Sequence, residues 1–422
     1  MRGKTIIPAI VFATFAAAQS LSAQEITLTE ADTIFAQRNL RALAAKCDIS
    51  IADANVSQAR LRPNPVVAVE ENVRNRINGR WLDFGRQSEQ TVSADQLISI
   101  AGQHANALRV AQLGGQAARA AFADLLRTLS GEMRQTFVEL CFAQRDSRVY
   151  KNEIMSLQNV LGSLVTQERK GNISRIETAR IRALLLSLRQ EQEQCLANEA
   201  QLQSRLHTFL AMPDSSRLVA VMDVGSLDNS PLAANGIEEL GTYAGLRSDV
   251  ELAKANQAVA EAQIKAERSK AWPEIHVTGS YDRNGGYFKD YFGIGISMSL
   301  PIFNRNQGRI RAAKEAAAQS QYETEEALNR AGNEVYAAAD NYRRASALLA
   351  SVSKDFDRDD IESLFKGVNE NYRKRNISLL EFCDFYKTYK DAMLQMSQIR
   401  RNVFIAAEKL NIAAGKTIVQ YE

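Results

Sequence analysis

Two carboxylates, Glu381 and Asp384, stand three residues apart in "NISLLEFCD", just past a polar break in otherwise helical text. Side chains at that spacing share one helix face. Carboxylates so placed attract cations. The alternative is a solvated helix start, where carboxylates also suit the dipole.

The other reactive side chains do not assemble into a site. His104, His207 and His276 stand alone, and no HExxH, CxxC or Cys/His cluster with ligand spacing occurs, so neither a metal site nor a cofactor is expected. Cys47, Cys141, Cys195 and Cys383 would permit disulfides in an oxidising compartment, and Cys141 and Cys195 fall near one level on paired helices. Cys195 lies on an apolar stripe and Cys383 close to Leu379 and Leu380, which favours small core residues. Gly114-Gly115 and Gly293 to Gly295 lack the Lys-Ser/Thr of a phosphate loop. With no Ser/His/Asp set either, nothing argues for an enzyme.

The elements around these residues are more informative. In the 422-residue chain, 52 basic residues nearly balance 49 acidic ones, which gives no argument for nucleic acid. The first 23 residues carry Arg2 and Lys4, an apolar run from Ile6 to Ala18 and a small residue at Ala23, the pattern of a secretory signal peptide. No later stretch offers 18 consecutive apolar residues, so any membrane insertion must use strands.

The chain repeats itself. "AKCDISIADANVSQARLRPNPVVAV" (45 to 69) lies over "AKANQAVAEAQIKAERSKAWPEIHV" (253 to 277), and "RKGNISRIE" (169 to 177) over "RKRNISLLE" (373 to 381). Each half reads helix, strand, loop, strand, long helix, tight turn, helix. The first repeat covers 24–212 and the second 244–415, with a linker at 213–243 and a C-terminal tail at 416–422. Strands are expected at 65–73, 90–100, 273–283 and 290–301, where apolar residues alternate with small or polar ones, as in Phe292, Ile294, Ile296, Met298 and Leu300. The helix from about 102 to 166 would be roughly 95 Å long. Ser174 and Ser378 each precede a Glu by three residues, the spacing of a capping box. Ile181, Leu188, Cys195, Leu202 and Phe209 form a heptad stripe whose second copy is Phe385, Ala392, Ile399, Ala406 and Ala413. The fold class is therefore mainly α with a small β part. Four strands cannot close a barrel and open edges are not tolerated in lipid, so several chains must share one; three copies give twelve strands.

The chain resembles the TolC outer-membrane efflux protein family over essentially its whole mature length. The resemblance rests on "ARLRPNPVVAVE", "ISMSLPIFNRNQGRIRAAK" and "YRKRNISLLEFCDFYKTY", and "NRNQG" is similar to the CzcC-like branch that serves heavy-metal pumps. It implies a homotrimer with a twelve-stranded barrel in outer-membrane lipid and a helical tunnel across the periplasm. The implied partners are a periplasmic adaptor and an inner-membrane RND-type transporter. By the same resemblance, Glu381 and Asp384 match an acidic pair at the periplasmic entrance, and Tyr372 a tyrosine that latches it. The family's arginine partner for that latch is replaced by Asn376 and Ile377. The turns Arg169, Lys170, Gly171 and Asn172, and Arg373, Lys374, Arg375 and Asn376, resemble adaptor-docking tips; their basic character either complements an acidic adaptor or simply solvates the turn. The implied function is passive export of divalent heavy-metal cations, with multidrug efflux or type I protein secretion as alternatives. A secreted coiled-coil adhesin would explain the heptads but not the repeated strand pairs.

Overall fold

The computed structural model describes residues 24–421 apart from 76, 86, 214–215, 228–242, 286–287, 354–366, 369 and 373. The expected signal peptide, Arg373 and most of the 213–243 linker lie outside the described residues.

A four-stranded antiparallel sheet is built from β2 (Val66–Glu71), β3 (Gln90–Ile98), β5 (Ile275–Asp282) and β6 (Tyr291–Met298), in that order. Each strand is shorter than its sequence suggested. Pro65, Pro273 and Pro301 fall outside the ladders, because proline has no N–H to donate to one. The register sorts the two faces: Val69, Val92, Tyr281 and Phe292 form one cross-strand row, and Val67, Ala94, Gly279 and Ile294 the next on the same face. The opposite face carries the row Ala68, Ser93, Ser280 and Gly293 and the row Val66, Asp95, Thr278 and Gly295. Among the described residues nothing covers the apolar face: Ile294 is 87% exposed and Phe292 77%. Nothing among the described residues pairs with the outer edges of β2 and β6.

The helices run from the sheet. α1 (Leu28–Arg38) and α2 (Leu40–Ala59) precede β2; α3 (Gln103–Arg169) and α4 (Arg175–Leu210) follow β3. In the second half α5 (Ser248–Ser269) leads into β5, and α6 (Gln307–Val352) and α7 (Leu379–Ala414) follow β6. α3, with 67 residues, spans about 100 Å. Both strand-to-helix junctions use a left-handed residue, Gly102 (φ 70°) before α3 and Asn306 (φ 57°) before α6. Asn306 Nδ2 also donates to the backbone oxygen of Glu267 at 2.8 Å and to its Oε2 at 2.7 Å, anchoring the "NRNQG" segment on α5. Among the described residues no helix is long and apolar enough to cross a membrane.

Two features depart from the sequence expectation. First, β1 (Gln24–Thr27) pairs in parallel with β4 (Leu218–Val221), inside the segment read as a linker. Gln144 of α3 holds β4 from the side: its Nε2 donates to the Leu218 oxygen at 2.7 Å and its Oε1 accepts from the Ala220 N–H at 3.1 Å. Second, α7 buries the stripe Phe382, Tyr389, Met396, Val403 and Leu410, three residues ahead of the predicted one, of which Ala406 and Ala413 are buried while Phe385, Ala392 and Ile399 are half-buried. Both stripes belong to one coiled-coil seam, at spacings of three and four.

The main core gathers Phe137 and Phe142 of α3, Leu206 of α4, Leu218 of β4, Tyr342 of α6 and Phe404 of α7. A second, smaller core near the helical turns contains Leu157, Ile181, Leu188, Phe382 and Tyr386.

Candidate functional site

The two helical turns have the same backbone construction. After Arg169 and Lys170, Gly171 takes φ 74°, its N–H bonds Glu168 O at 2.9 Å, and the Asn172 N–H reaches Gln167 O at 3.0 Å. At the second turn Arg375 takes φ 62°, its N–H bonds Tyr372 O at 3.0 Å, and the Asn376 N–H reaches Asn371 O at 2.9 Å. This is a Schellman closure made twice, once with glycine and once with a side chain that resists the left-handed region. The side chains repeat the pattern: Asn172 Nδ2 donates to Gln167 Oε1 at 2.7 Å, and Asn376 Nδ2 to Asn371 Oδ1 at 3.0 Å.

The helix starts differ, contrary to the paired capping boxes expected. Ser378 makes a full box with Glu381: the Glu381 N–H donates to Ser378 Oγ at 3.3 Å and the Ser378 N–H to Glu381 Oε2 at 2.7 Å. Ser174 instead accepts from the Ile176 N–H at 3.2 Å, and Glu177 lines a cleft between the turns. Ser378→Ala is expected to cost about 1 kcal/mol locally. It would speed amide exchange over residues 379–382 about fivefold, read by hydrogen exchange, with exchange around Arg175 unchanged.

Of the expected entrance residues Tyr372 lines the cleft between the turns, together with Asn172 and Arg375 of the expected docking tips, while Glu381 and Asp384 are exposed on the helix that follows. Arg375 Nη2 donates to the Asn172 backbone oxygen at 3.4 Å, joining the two turns. Beside that contact lies a cleft of about 650 Å³ lined by Gln167, Glu177, Arg180, Tyr372, Arg375 and Leu380, among others. Tyr372 is buried and stacks on Phe382, centroids 4.3 Å apart. Its hydroxyl has no hydrogen-bond partner among the described residues, and Asn376 is turned to Asn371 instead. Burial, reinforced by the Glu177 charge, pushes the Tyr372 hydroxyl up to about 12. The Glu381 carboxylate is held below its ordinary range by the Ser378 backbone N–H and hydroxyl. Asp384 is exposed one turn further on. Lys374 faces Glu370 at 3.9 Å with both side chains in solvent, a pair of little energetic weight.

Sequence reasoning missed several polar groups. His276, isolated in the sequence, meets Asp95 on the polar face of the sheet, Nδ1 to Oδ1 2.7 Å, and Asp95 Oδ2 accepts from Thr278 Oγ1 at 2.7 Å. Cross-strand register makes that contact, across 181 positions of sequence. Glu153, Lys390 and Glu191 come together from three helices, and the only sequence signal was charged residues amid coiled-coil text. Among the described residues no group of three or more His, Cys, Asp and Glu side chains could hold a metal ion.

Long helices leaving one end of an open sheet with one greasy face are a design that known proteins share. Residues 244–416 match the model of the outer membrane efflux protein family. They are an outer membrane efflux protein domain. Over 94% of the chain and 91% of the relative's length, the sequence is 21% identical to the cobalt-zinc-cadmium resistance protein CzcC of Cupriavidus metallidurans. It is 24% identical to the nickel-cobalt-cadmium resistance protein NccC of Alcaligenes xylosoxydans xylosoxydans, over 66% of the chain and 62% of that protein. The open-state structure of the Neisseria gonorrhoeae MtrE outer membrane channel superposes with a TM-score of 0.73 at 17% identity, covering 93% of this chain and 89% of that one. The fold is TolC-like. In an outer-membrane channel of that fold the exposed apolar face of the sheet would meet lipid and the Asp95–His276–Thr278 face the aqueous lumen.

Proposed function

We propose that this chain is the exit duct of a tripartite efflux system for divalent heavy-metal cations. In this reading it works as a homotrimer with a periplasmic adaptor and a proton-driven inner-membrane RND-type pump. The observation that carries the duct is the sheet: four strands, one apolar face uncovered and two free edges, feeding directly into the long helices. Lipid does not tolerate free edges, so copies must join edge to edge, and three close a twelve-stranded barrel. The paired turns around the 650 Å³ cleft then stand at the far end of the tunnel, where a partner docks and opens it. Asp384 supplies an exposed carboxylate there, while Glu381 serves its helix cap as well. The metal cargo is supported by similarity to CzcC along nearly the whole chain. A wide duct needs no affinity for what it conducts, so a resident metal site is not required.

The test is growth of a strain lacking the protein against its complemented parent on zinc, cobalt, cadmium, copper and a panel of lipophilic drugs. Sensitivity confined to metals is expected. Sensitivity confined to drugs would keep the duct and overturn the cargo; defective release of a secreted protein would point to type I secretion.

A further inference from the structure

We propose that Glu153 is a proton-dependent brace between the two helical hairpins: protonated, it lets α7 seat against α3, and ionised, it opposes that seating. Its consequence for gating rests on the duct reading above; the brace itself does not.

Glu153 lies on α3 and is only 5% exposed, between Ile154 and Leu157 of the smaller core and the aromatic row of α7. Its Oε2 is buried with no hydrogen-bond partner among the described residues. From α7, the fully buried Tyr386 hydroxyl donates to the Glu153 backbone oxygen at 2.6 Å. One turn further along α7, Lys390 is buried too, but its Nζ is engaged by Glu191 of α4 at 2.6 Å and by Asp391 at 3.2 Å. An ionised Glu153 would therefore place three carboxylates around one ammonium in a poorly solvated seam. Tyr150 and Asp146 on α3, Cys195 on α4, and Tyr389 on α7 complete the titratable surroundings, and none of them supplies a second cation. Burial pushes the Glu153 carboxyl from an ordinary 4.5 up to about 7, against the pull of Tyr386 and Lys390.

The sign follows from proton counting. With α7 seated, Glu153 holds its proton up to about pH 7; with the seam parted and solvated, only up to about 4.5. Between those values each pH unit favours the parted seam by up to tenfold, and above about 7 the effect levels off. Neutral pH thus weakens the hold between hairpins at the level just above the turns, and acid tightens it.

Hydrogen exchange on the full-length protein in detergent tests this at pH 5.0 and 7.5, corrected for intrinsic exchange. Protection over residues 382–392 of the wild type is expected to fall by up to about a hundredfold between the two. In Glu153→Gln, which mimics the protonated acid, it should stay at the pH 5.0 level throughout. An equal fall in both proteins, or none in the wild type, overturns the brace. Should the variant fail to assemble, the wild type still decides: a response confined to 382–392 supports the brace, and an equal one over 137–142 in the main core overturns it. Conductance in planar bilayers separates the two readings. A protein that never conducts but shows the exchange response counts against the duct and leaves the brace standing; unchanged exchange sinks the brace whatever the conductance.

Discussion

Lysine at Ile294 is expected to strip the protein of its assembled, outer-membrane form, while lysine at Ser297, three residues along the same strand, leaves assembly intact. Ile294 sits mid-strand in β6, 87% exposed, in the apolar row with Gly279, Ala94 and Val67. A cation on the lipid face near the bilayer midplane costs about 2–4 kcal/mol, and the middle of an eight-residue strand leaves the least room for the side chain to snorkel. In a trimer the ring carries that cost three times. Ser297 pairs with His276 on the polar face, where a lysine meets water. Outer-membrane fractionation and heat-modifiable migration on gels read the difference. Equal behaviour of the two variants would mean the faces are assigned the wrong way round, or that the sheet does not lie in lipid.

That contrast was legible because a strand's alternation is local: the type of Ile294 and the type of Ser297 already say which side each takes. The turns were legible for the same reason, since six consecutive residues set a Schellman closure and the motif recurs at Gly171 and Arg375. What escaped was decided by distant partners. β1 and β4 are four residues each, too short for a periodicity, and they pair across nearly 200 positions under the grip of Gln144. The seam of α7 has two alternating stripes, and choosing Phe382 over Phe385 as the deeper one requires knowing what faces it. Ser174 and Glu177 have the spelling of a capping box, yet Glu177 faces the cleft beside Tyr372. At the candidate entrance the sequence named Tyr372, Glu381 and Asp384 but not their relations: a buried, unbonded hydroxyl, a carboxylate bound into a cap, and a free one. Glu153 was invisible because its burial comes from α7, more than 200 residues later.

Asn411→Ala is expected to release the C-terminal tail and cost about 3 kcal/mol, since three buried hydrogen bonds contribute about 1 kcal/mol each. Asn411 is buried on α7, and its side chain reads the backbone beyond the helix as a strand partner would. Oδ1 accepts from the Ile418 and Val419 N–H groups at 2.7 and 2.9 Å, and Nδ2 donates to the Val419 oxygen at 2.9 Å. Held there, Val419 is buried in the main core, Tyr421 meets Phe404 edge-on at 4.8 Å, and the Tyr421 hydroxyl donates to Glu408 at 2.8 Å. Glu408 is itself almost wholly buried, with Arg134 at 3.9 Å, and Arg134 grips Asp32 of α1 at 2.8 and 3.0 Å. Burial raises the Glu408 carboxyl, so losing Tyr421 withdraws one of the few groups that favour its charged form. The tail therefore closes a network running from α7 through α3 to α1, in the same region where the main core joins both halves of the chain. A double-mutant cycle with truncation after Gly415 isolates the effect by thermal unfolding in detergent. If Asn411 acts through the tail, the alanine costs its full amount in the intact chain and little in the truncated one. An equal cost in both would place its role in α7 alone and leave the tail as a passenger.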